Sequence, residues 1–315
     1  MSPVPGVVFL GTAEFALPAL RALRASERFC LLAVVSRPPR PAGRGRRMRQ
    51  PPVAREAMEA NIPLMQPEKA GDEGFLHRLA GLSPQVMVCA AYGLYMPRKL
   101  LEAAPHGVVN VHPSMLPRHR GAAPIQRAIM EGDRETALCF MLTDSRGWDT
   151  GPVLRCYSRS IGPRETAGSL HDALALMAGE RVEEVLESYL AGRIVPEPQR
   201  GEPTYADKVS REETVLQWSK PASEVDRTVR ALSPWPGART GFRDKGLKIL
   251  ECLPEDGEGE PGTILGIRDG FPLVACGRGS VRLLRVQPAS RGRMSGDDFA
   301  RGYSPRPGER LEHDG

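Results

Sequence analysis

Residues 107–121 read GVVNVHPSMLPRHRG, a β-branched run that passes into a loop rich in proline and arginine. The run predicts a strand, and because side chains alternate along a strand, Asn110 and His112 point to the same face. An amide that donates hydrogen bonds beside an imidazole that can carry a proton suits polar catalysis. Alternatively, Asn110 and His112 only satisfy backbone groups of the loop, and their spacing alone does not decide between the two.

The segments around this strand predict an α/β fold. Apolar runs at 7–10, 31–35, 86–91 and 136–142 alternate with helical patterns, which favours an open, mostly parallel sheet. Ligands of such sheets bind beyond the carboxyl ends of the strands, where Asn110 and His112 lie. The first run is followed by GTAEFA instead of GxGxxG, so a nicotinamide-dependent oxidoreductase is disfavoured.

A carboxylate near His112 would orient its ring and favour the protonated form. Asp149, in the turn signal Asp149-Thr150-Gly151, is one candidate, although it could instead cap its own turn. Asp144, five residues earlier, is a rival for either role.

The remainder of the chain predicts a second domain. An amphipathic pattern over 170–190 closes the first domain, and Pro196, Pro198 and Pro203 mark residues 195–208 as a linker. Further on, short apolar runs separated by Gly and Pro predict a small β-barrel of the OB type. We therefore expect a domain at 1–194, a linker at 195–208 and a second domain at 209–315.

Composition restricts the class of protein. Of 315 residues, 41% are hydrophobic and 26% charged, as in ordinary globular proteins, and the net charge is +5. No apolar run approaches the length of a membrane span, and the start of the chain shows no signal-peptide pattern, so a cytoplasmic protein is expected. The six cysteines form no CxxC pair, which argues against a zinc ribbon, and several lie in apolar runs that predict buried free thiols.

Two regions carry arginine without any acidic residue. Residues 36–50, SRPPRPAGRGRRMRQ, contain six arginines on a predicted loop, among them Arg44, Arg46 and Arg47. Residues 270–296 hold a second group: Arg278, Arg282, Arg285, Arg291 and Arg293. Together they favour RNA as a partner over a small phosphate, the alternative for the loop being a merely solvated segment.

A family resemblance covers nearly the whole chain. NVHPSMLPRHRGAAPIQRAIMEGDRETALCFMLTDSRGWDTG is similar to the signature of the 10-formyltetrahydrofolate-dependent formyltransferases. The motifs RPAGRGRRM, RGAAPIQRAI, TYADKVSREE, SPWPGA and QPASRGRMSGDDFARG resemble, within that superfamily, the enzymes that formylate methionyl-tRNA.

The resemblance implies roles for particular residues. Asn110, His112 and Asp149 match the family's catalytic residues, and the loop of Ser114, Met115, Leu116 and Pro117 matches its folate-contacting loop. Arg44, with Arg46 and Arg47 beside it, matches the loop implicated in recognising initiator tRNA. The implied fold is a Rossmann-like N-terminal domain followed by an OB-like barrel.

The implied reaction moves a formyl group from 10-formyltetrahydrofolate to the α-amino group of methionyl initiator tRNA, without a metal. A monomer is expected. One departure concerns DSRGWDTG, which is one residue longer than the family pattern and carries Trp148 in place of Leu, so the structure must decide where Asp149 lies. Two alternatives remain: a formyltransferase acting on a sugar nucleotide or another small amine, and an RNA-binding protein on an inactive formyltransferase scaffold.

Overall fold

The computed structural model describes residues 4–42, 45 and 47–312. These residues form two compact units. Unit 1 consists of the described residues up to Gly121 together with Thr136–Arg159 and His171–Tyr205, and unit 2 consists of Ala122–Glu135, Ser160–Leu170 and the described residues from Ala206 onward. The domain boundaries given above, at 194 and 209, stay a prediction.

The regular elements are numbered along the chain. The strands are β1 (Gly6–Gly11), β2 (Cys30–Val35), β3 (Arg40–Ala42), β4 (Arg47–Arg49), β5 (Leu64–Met65), β6 (Val86–Ala90), β7 (Val108–His112), β8 (Arg120–Gly121), β9 (Glu135–Leu142), β10 (Val153–Ser160), β11 (Tyr205–Ala206), β12 (Ala238–Phe242), β13 (Lys245–Glu255), β14 (Ile264–Arg268), β15 (Phe271–Ala275), β16 (Ser280–Pro288), β17 (Met294–Ser295) and β18 (Leu311–Glu312). The helices are α1 (Leu17–Ala25), α2 (Pro52–Glu59), α3 (Glu73–Gly81), α4 (Arg98–Leu101), α5 (Pro124–Glu131), α6 (Ala167–Leu190), α7 (Ala222–Leu232) and α8 (Gly296–Tyr303).

The central sheet of unit 1 has the strand order β10-β9-β7-β6-β1-β2-β5. Strands β5, β2, β1, β6 and β7 pair in parallel, and β9 pairs antiparallel with β7. The strands β1 and β6 are buried on both faces, as expected for parallel strands covered by helices. The predicted Rossmann-like, mostly parallel sheet is confirmed.

Strand β7 carries the residues of interest to the carboxyl end of this sheet. Asn110 lies opposite Cys89 of β6 and Met141 of β9, and His112 lies opposite Cys139 of β9. Because β7 has a neighbour on each side, its backbone position is fixed by hydrogen bonds in both directions.

The arginine-rich segment 36–50 contains two short paired strands, although sequence predicted a loop. Strands β3 and β4 pair antiparallel, with Arg40 opposite Arg49 and Ala42 opposite Arg47. Arg47 is exposed on β4, whereas Arg44 and Arg46 lie outside the described residues.

Unit 2 contains the second sheet, with the antiparallel order β14-β15-β16-β13-β12-β18 and β17 paired to β16. The two ends of this order meet, because the Ile264 amide donates to the Glu309 carbonyl and the Leu311 amide to the Gly262 carbonyl. The core inside the curled sheet includes Val229 of α7, Ile249, Leu283 and Phe299 of α8, all at most 1% exposed. The predicted OB-like β domain is confirmed as this curled antiparallel sheet.

The cysteine prediction is correct in part. Cys89, Cys252 and Cys276 are buried free thiols, but Cys139 and Cys156 form a disulfide. These two residues lie on the neighbouring strands β9 and β10 with Cα atoms 4.1 Å apart, a proximity that residues 17 apart in sequence do not reveal. Among the described residues, no helix is both long and apolar enough to cross a membrane.

Candidate active site

Asn110 and His112 lie at the end of β7 and both approach the same carboxylate, that of Asp149. The Asn110 Nδ2 donates to Asp149 Oδ1 at 3.0 Å, and His112 Nδ1 lies 3.5 Å from Asp149 Oδ2. The side chains of His112 and Asp149 are 5% and 13% exposed, so the group has little contact with water. The structure therefore brings together the three residues that sequence nominated for catalysis.

The Asp149 carboxylate is held by neutral donors. Besides the Asn110 amide, the backbone N–H of Gly121 donates to Oδ2 at 2.9 Å. Within the described part of the chain, Asp149 forms no ion pair with an arginine or a lysine. Two N–H donors thus bond the carboxylate oxygens, and Oδ2 also faces His112.

The backbone around Asp149 follows from the local sequence. Asp149 has φ of +52°, a left-handed conformation that Asp and Asn tolerate better than other non-glycine residues. Two residues on, a Cβ at Gly151 would lie 1.7 Å from the Leu142 carbonyl oxygen, so only glycine fits there. The Asp-Thr-Gly turn can thus bend sharply against β9 and direct the carboxylate to the end of β7.

Asp144, the rival carboxylate, serves the loop instead. Its Oδ1 accepts from Thr150 Oγ1 at 2.8 Å, and its Oδ2 accepts from Arg146 Nε at 2.7 Å. Partial burial would raise the pKa of Asp144, but the bonds from Thr150 and Arg146 outweigh it and leave the pKa below its ordinary value. The lengthened loop closes on itself, Trp148 projects from it 67% exposed, and Asp149 still reaches His112.

The His112 ring has an oxygen on each side. Its Nε2 lies 3.0 Å from the His119 carbonyl oxygen and its Nδ1 faces Asp149. Since a carbonyl oxygen only accepts, Nε2 carries the hydrogen in this contact. A doubly protonated ring would find an acceptor at both nitrogens, so the site can receive a proton on His112.

Sequence reasoning missed two groups that build this site. His119 is 2% exposed with φ of +57°, and its carbonyl is the acceptor for His112. Gln199, inside the predicted linker, donates to the carbonyls of Asp149 and Gly151 at 2.8 Å each, and its own Oε1 accepts from Arg120. Gln199 lies 50 residues from Asp149, so no local pattern could have connected them.

The loop predicted to contact folate is internally bonded. The Ser114 hydroxyl donates to the Arg118 carbonyl at 2.7 Å, and Ser114 is fully buried. Pro117 is also buried, whereas Met115 and Leu116 are half-exposed. Of these four residues, therefore, Met115 and Leu116 are the ones whose apolar side chains are partly accessible.

The chemistry available here is polar. Cys89, which lies opposite Asn110 in the sheet, is buried, and burial raises the pKa of its thiol to about 12, so a thiolate nucleophile is disfavoured there. What remains is a neutral amide donor and an imidazole that both contact one carboxylate, that of Asp149. This combination can stabilise negative charge on a carbonyl oxygen and move a proton, as acyl-group transfer to an amine requires.

Family models agree with this class of chemistry. The "Formyl transferase" model matches residues 6–186, and the "Formyl transferase, C-terminal domain" model matches residues 208–304. The chain belongs to the formyl transferase family.

Full-length relatives narrow the class. The chain is 43% identical over 310 residues to the methionyl-tRNA formyltransferase of Acidithiobacillus ferrooxidans, covering 97% of this chain and 98% of that one. It is 42% identical over 305 residues to the enzyme of that name from Thermus thermophilus, at 97% and 98% coverage. Within the family, the chain groups with the methionyl-tRNA formyltransferases.

A solved structure shares the fold at lower identity. The N-formyltransferase from Helicobacter canadensis, crystallised with folinic acid and dTDP-3-aminofucose, is 14% identical and superposes with a TM-score of 0.66, over 90% of this chain and 98% of that one. At this identity the likeness concerns the fold alone.

Proposed function

We propose that this protein transfers the formyl group of 10-formyltetrahydrofolate to the α-amino group of methionine on initiator tRNA, as a cytoplasmic monomer. The observation that carries the chemistry is the contact of Asn110 and His112 with one nearly buried carboxylate, Asp149. The choice of tRNA as acceptor is supported by full-length relatives of that name and by the second unit, which the C-terminal family model matches.

Folate-derived donors supply an activated one-carbon group, so the protein needs only to position it, polarise it and move protons. Met115 and Leu116 are proposed to hold the donor, since they are the half-exposed apolar side chains of the loop beside His112. Ser114 and Pro117 are proposed to fix the shape of that loop, as their burial and the Ser114 hydrogen bond favour. No residue is assigned to a metal.

Asn110 is proposed to stabilise the oxygen of the formyl group as the amine attacks. One hydrogen of its Nδ2 is bonded to Asp149, and the other meets no acceptor among the described residues. The second hydrogen is therefore available to an oxygen on which negative charge develops. A donor placed in this way typically contributes roughly 3–4 kcal/mol to catalysis.

His112 and Asp149 are proposed to handle the proton. The attacking amine must lose a proton and the N10 atom of the departing folate must gain one. The Asp149 carboxylate is proposed to orient His112 from the Nδ1 side, while the His119 carbonyl accepts from Nε2. The pair can thus take up the amine proton and return it to the leaving nitrogen.

Arg44, Arg46 and Arg47 are proposed to contact the tRNA. Arg47 is exposed on β4, and uncompensated arginines bind phosphates in a salt-dependent manner. Reversing the charge at Arg44 should weaken use of tRNA, and the loss should shrink as salt is raised. An unchanged KM for tRNA at low salt would remove this loop from the proposal.

The test is single-turnover formyl transfer from 10-formyltetrahydrofolate. Methionine-charged initiator tRNA, charged elongator tRNA and a dTDP-linked amino sugar are compared as acceptors. Fast transfer selective for initiator tRNA is expected. Transfer to the amino sugar without transfer to tRNA would establish the alternative substrate class, and loss of transfer to every acceptor with folate still bound would refute formyl transfer.

A further inference from the structure

Unit 2 presents a large aromatic side chain to solvent. Trp235 is 79% exposed, whereas Trp218 of the same unit is 5% exposed in the core. A tryptophan side chain has one of the largest apolar surfaces of any residue, and exposed aromatic surface commonly marks an interaction site. Trp235 contributes little to the core, so its exposed side chain is a candidate for an interaction site.

The backbone on both sides of Trp235 is fixed. Ser233 is buried, and its carbonyl accepts from the Gly168 amide at 3.0 Å, while the Gly237 amide donates to the Leu232 carbonyl at 2.8 Å. A Cβ at Gly168 would lie 2.4 Å from Pro234 Cδ, so the loop packs directly on the backbone of that glycine. The backbone that carries the exposed indole is thus fixed by hydrogen bonds and by packing on Gly168.

Two cations bond the backbone carbonyls of the residues before and after Trp235. The Arg293 guanidinium donates to the Pro234 carbonyl at 3.2 Å, and the Lys248 ammonium donates to the Pro236 carbonyl at 2.7 Å. Neither side chain pairs with a carboxylate of the described residues, whereas Arg282 of the same basic region is paired with Asp269. The charges of the two cations bonded to this loop are therefore not neutralised by a carboxylate of the described residues.

A groove continues from Lys248 across the surface of the sheet. It has a volume of about 200 Å³, and its lining includes Arg239, Lys248, Gln287 and Ser290 but no aspartate or glutamate. An exposed aromatic side chain on a loop that two cations bond, next to a groove without acidic side chains, suits a nucleotide. A base can stack on the indole while phosphates meet the cations.

We propose that Trp235, Lys248 and Arg293 bind an unpaired nucleotide of RNA, with its base stacked on Trp235 and its adjoining phosphates at Lys248 and Arg293. The proposal rests on the proposed function only for the identity of that RNA, a tRNA. The proposed contact binds single-stranded RNA through base stacking, and it does not depend on the formyl-transfer site.

The first experiment measures binding of a short single-stranded oligouridylate and of a blunt RNA duplex of equal length. Trp235→Ala should weaken single-strand binding about 10-fold and leave duplex binding nearly unchanged, because a paired base cannot stack on the indole. Trp235→Phe should keep most of the affinity. Ile267→Ala, which truncates another exposed apolar side chain of unit 2, is the matched control and should change neither.

The second experiment separates stacking from charge. Lys248→Ala and Arg293→Ala should each reduce the slope of log affinity against log salt by about 1, whereas Trp235→Ala should leave the slope unchanged. Unchanged affinity for the single strand in Trp235→Ala would overturn the proposal. So would a variant that loses self-association of the protein but keeps RNA binding, because the surface would then be a protein interface.

The same variants distinguish this proposal from the proposed function. If the wild type transfers formyl groups to tRNA and Trp235→Ala leaves KM for tRNA unchanged, the surface proposal fails alone. If tRNA binds through Trp235 but no formyl transfer occurs, the proposed function fails and the surface stands.

Discussion

Asp149 of unit 1 and Asp226 of unit 2 are both nearly buried carboxylates, with side chains 13% and 7% exposed, but their partners differ. Asp226 lies between two guanidinium groups, accepting from Arg164 Nη1 at 2.9 Å and Arg230 Nε at 2.7 Å. Asp149 accepts from an amide and a backbone N–H and faces His112. Arginine does not release its proton, so Asp226 can only hold structure, whereas a carboxylate beside histidine can take part in proton movement.

The largest expected effect concerns the first carboxylate. Asp149→Asn keeps the size and the tolerance of positive φ but removes the charge that orients His112. We expect turnover to fall about 10²–10⁴-fold, and His112→Ala to cause a loss of similar size. Single-turnover formyl transfer measures both.

Because the two residues are proposed to act on one proton, their effects should not add. The double variant should be about as slow as the slower single variant. Multiplicative losses would show that Asp149 and His112 act independently, and near-normal turnover in either single variant would sink the assignment.

Asp226→Ala should have the opposite effect to Asp149→Asn, lowering stability and leaving turnover unchanged. It leaves Arg230, whose side chain is 11% exposed, without its carboxylate, and removing one partner of a buried ion pair typically costs about 3–5 kcal/mol. We expect a large loss in the free energy of unfolding, measured in urea, with kcat per folded molecule retained. A stable but inactive variant would contradict the structural role.

A smaller effect is expected from Gln199→Leu. Losing both bonds to the Asp-Thr-Gly turn should let Asp149 shift, and small misplacements of catalytic groups reduce rates by about 10–100-fold. Gln217→Leu makes the same change at an exposed glutamine of unit 2 and should leave kcat unaffected. Equal kcat in the two variants would mean that Gln199 does not position Asp149.

The smallest effect concerns Asp144, on the same loop as Asp149. Asp144→Asn should lower stability at neutral pH by about 1 kcal/mol, the usual contribution of such hydrogen bonds, with turnover nearly unchanged. The pKa of Asp144 is lowered in the folded protein, so its stabilisation is complete at neutral pH and is lost as pH falls through that lowered pKa. The free energies of unfolding of variant and wild type, measured in urea, should therefore converge at acid pH. A difference that grows at acid pH would contradict the lowered pKa of Asp144.

Local patterns predicted what depends on local geometry. The period of two along β7 placed Asn110 and His112 on one face, and the alternation of strands and helices gave the parallel sheet. These local patterns could not show whether Asp144 or Asp149 faces His112, because the answer depends on the sharp bend that Gly151 permits against Leu142.

Long-range partners escaped sequence reasoning for the same reason. The bonds from Gln199, the acceptor carbonyl of His119 and the Cys139–Cys156 pair all join segments through the fold, not through spacing. A backbone carbonyl has no signature in the residue type, so His119 could be recognised as part of the site only in three dimensions.

Gln199 and Thr204 each bond the backbone of a site segment, and we call this pair the clamp; its position in the sequence has a consequence for synthesis of the chain. The Thr204 hydroxyl accepts from the His119 amide at 2.9 Å, and Gln199 holds the backbone of Asp149. A nascent chain that ends at residue 186, where the N-terminal family match stops, already contains Asn110, His112 and Asp149 but neither clamp residue. We therefore expect the catalytic geometry to be completed during synthesis only after residue 204 has emerged from the ribosome, and a fragment ending at residue 186 to lack it.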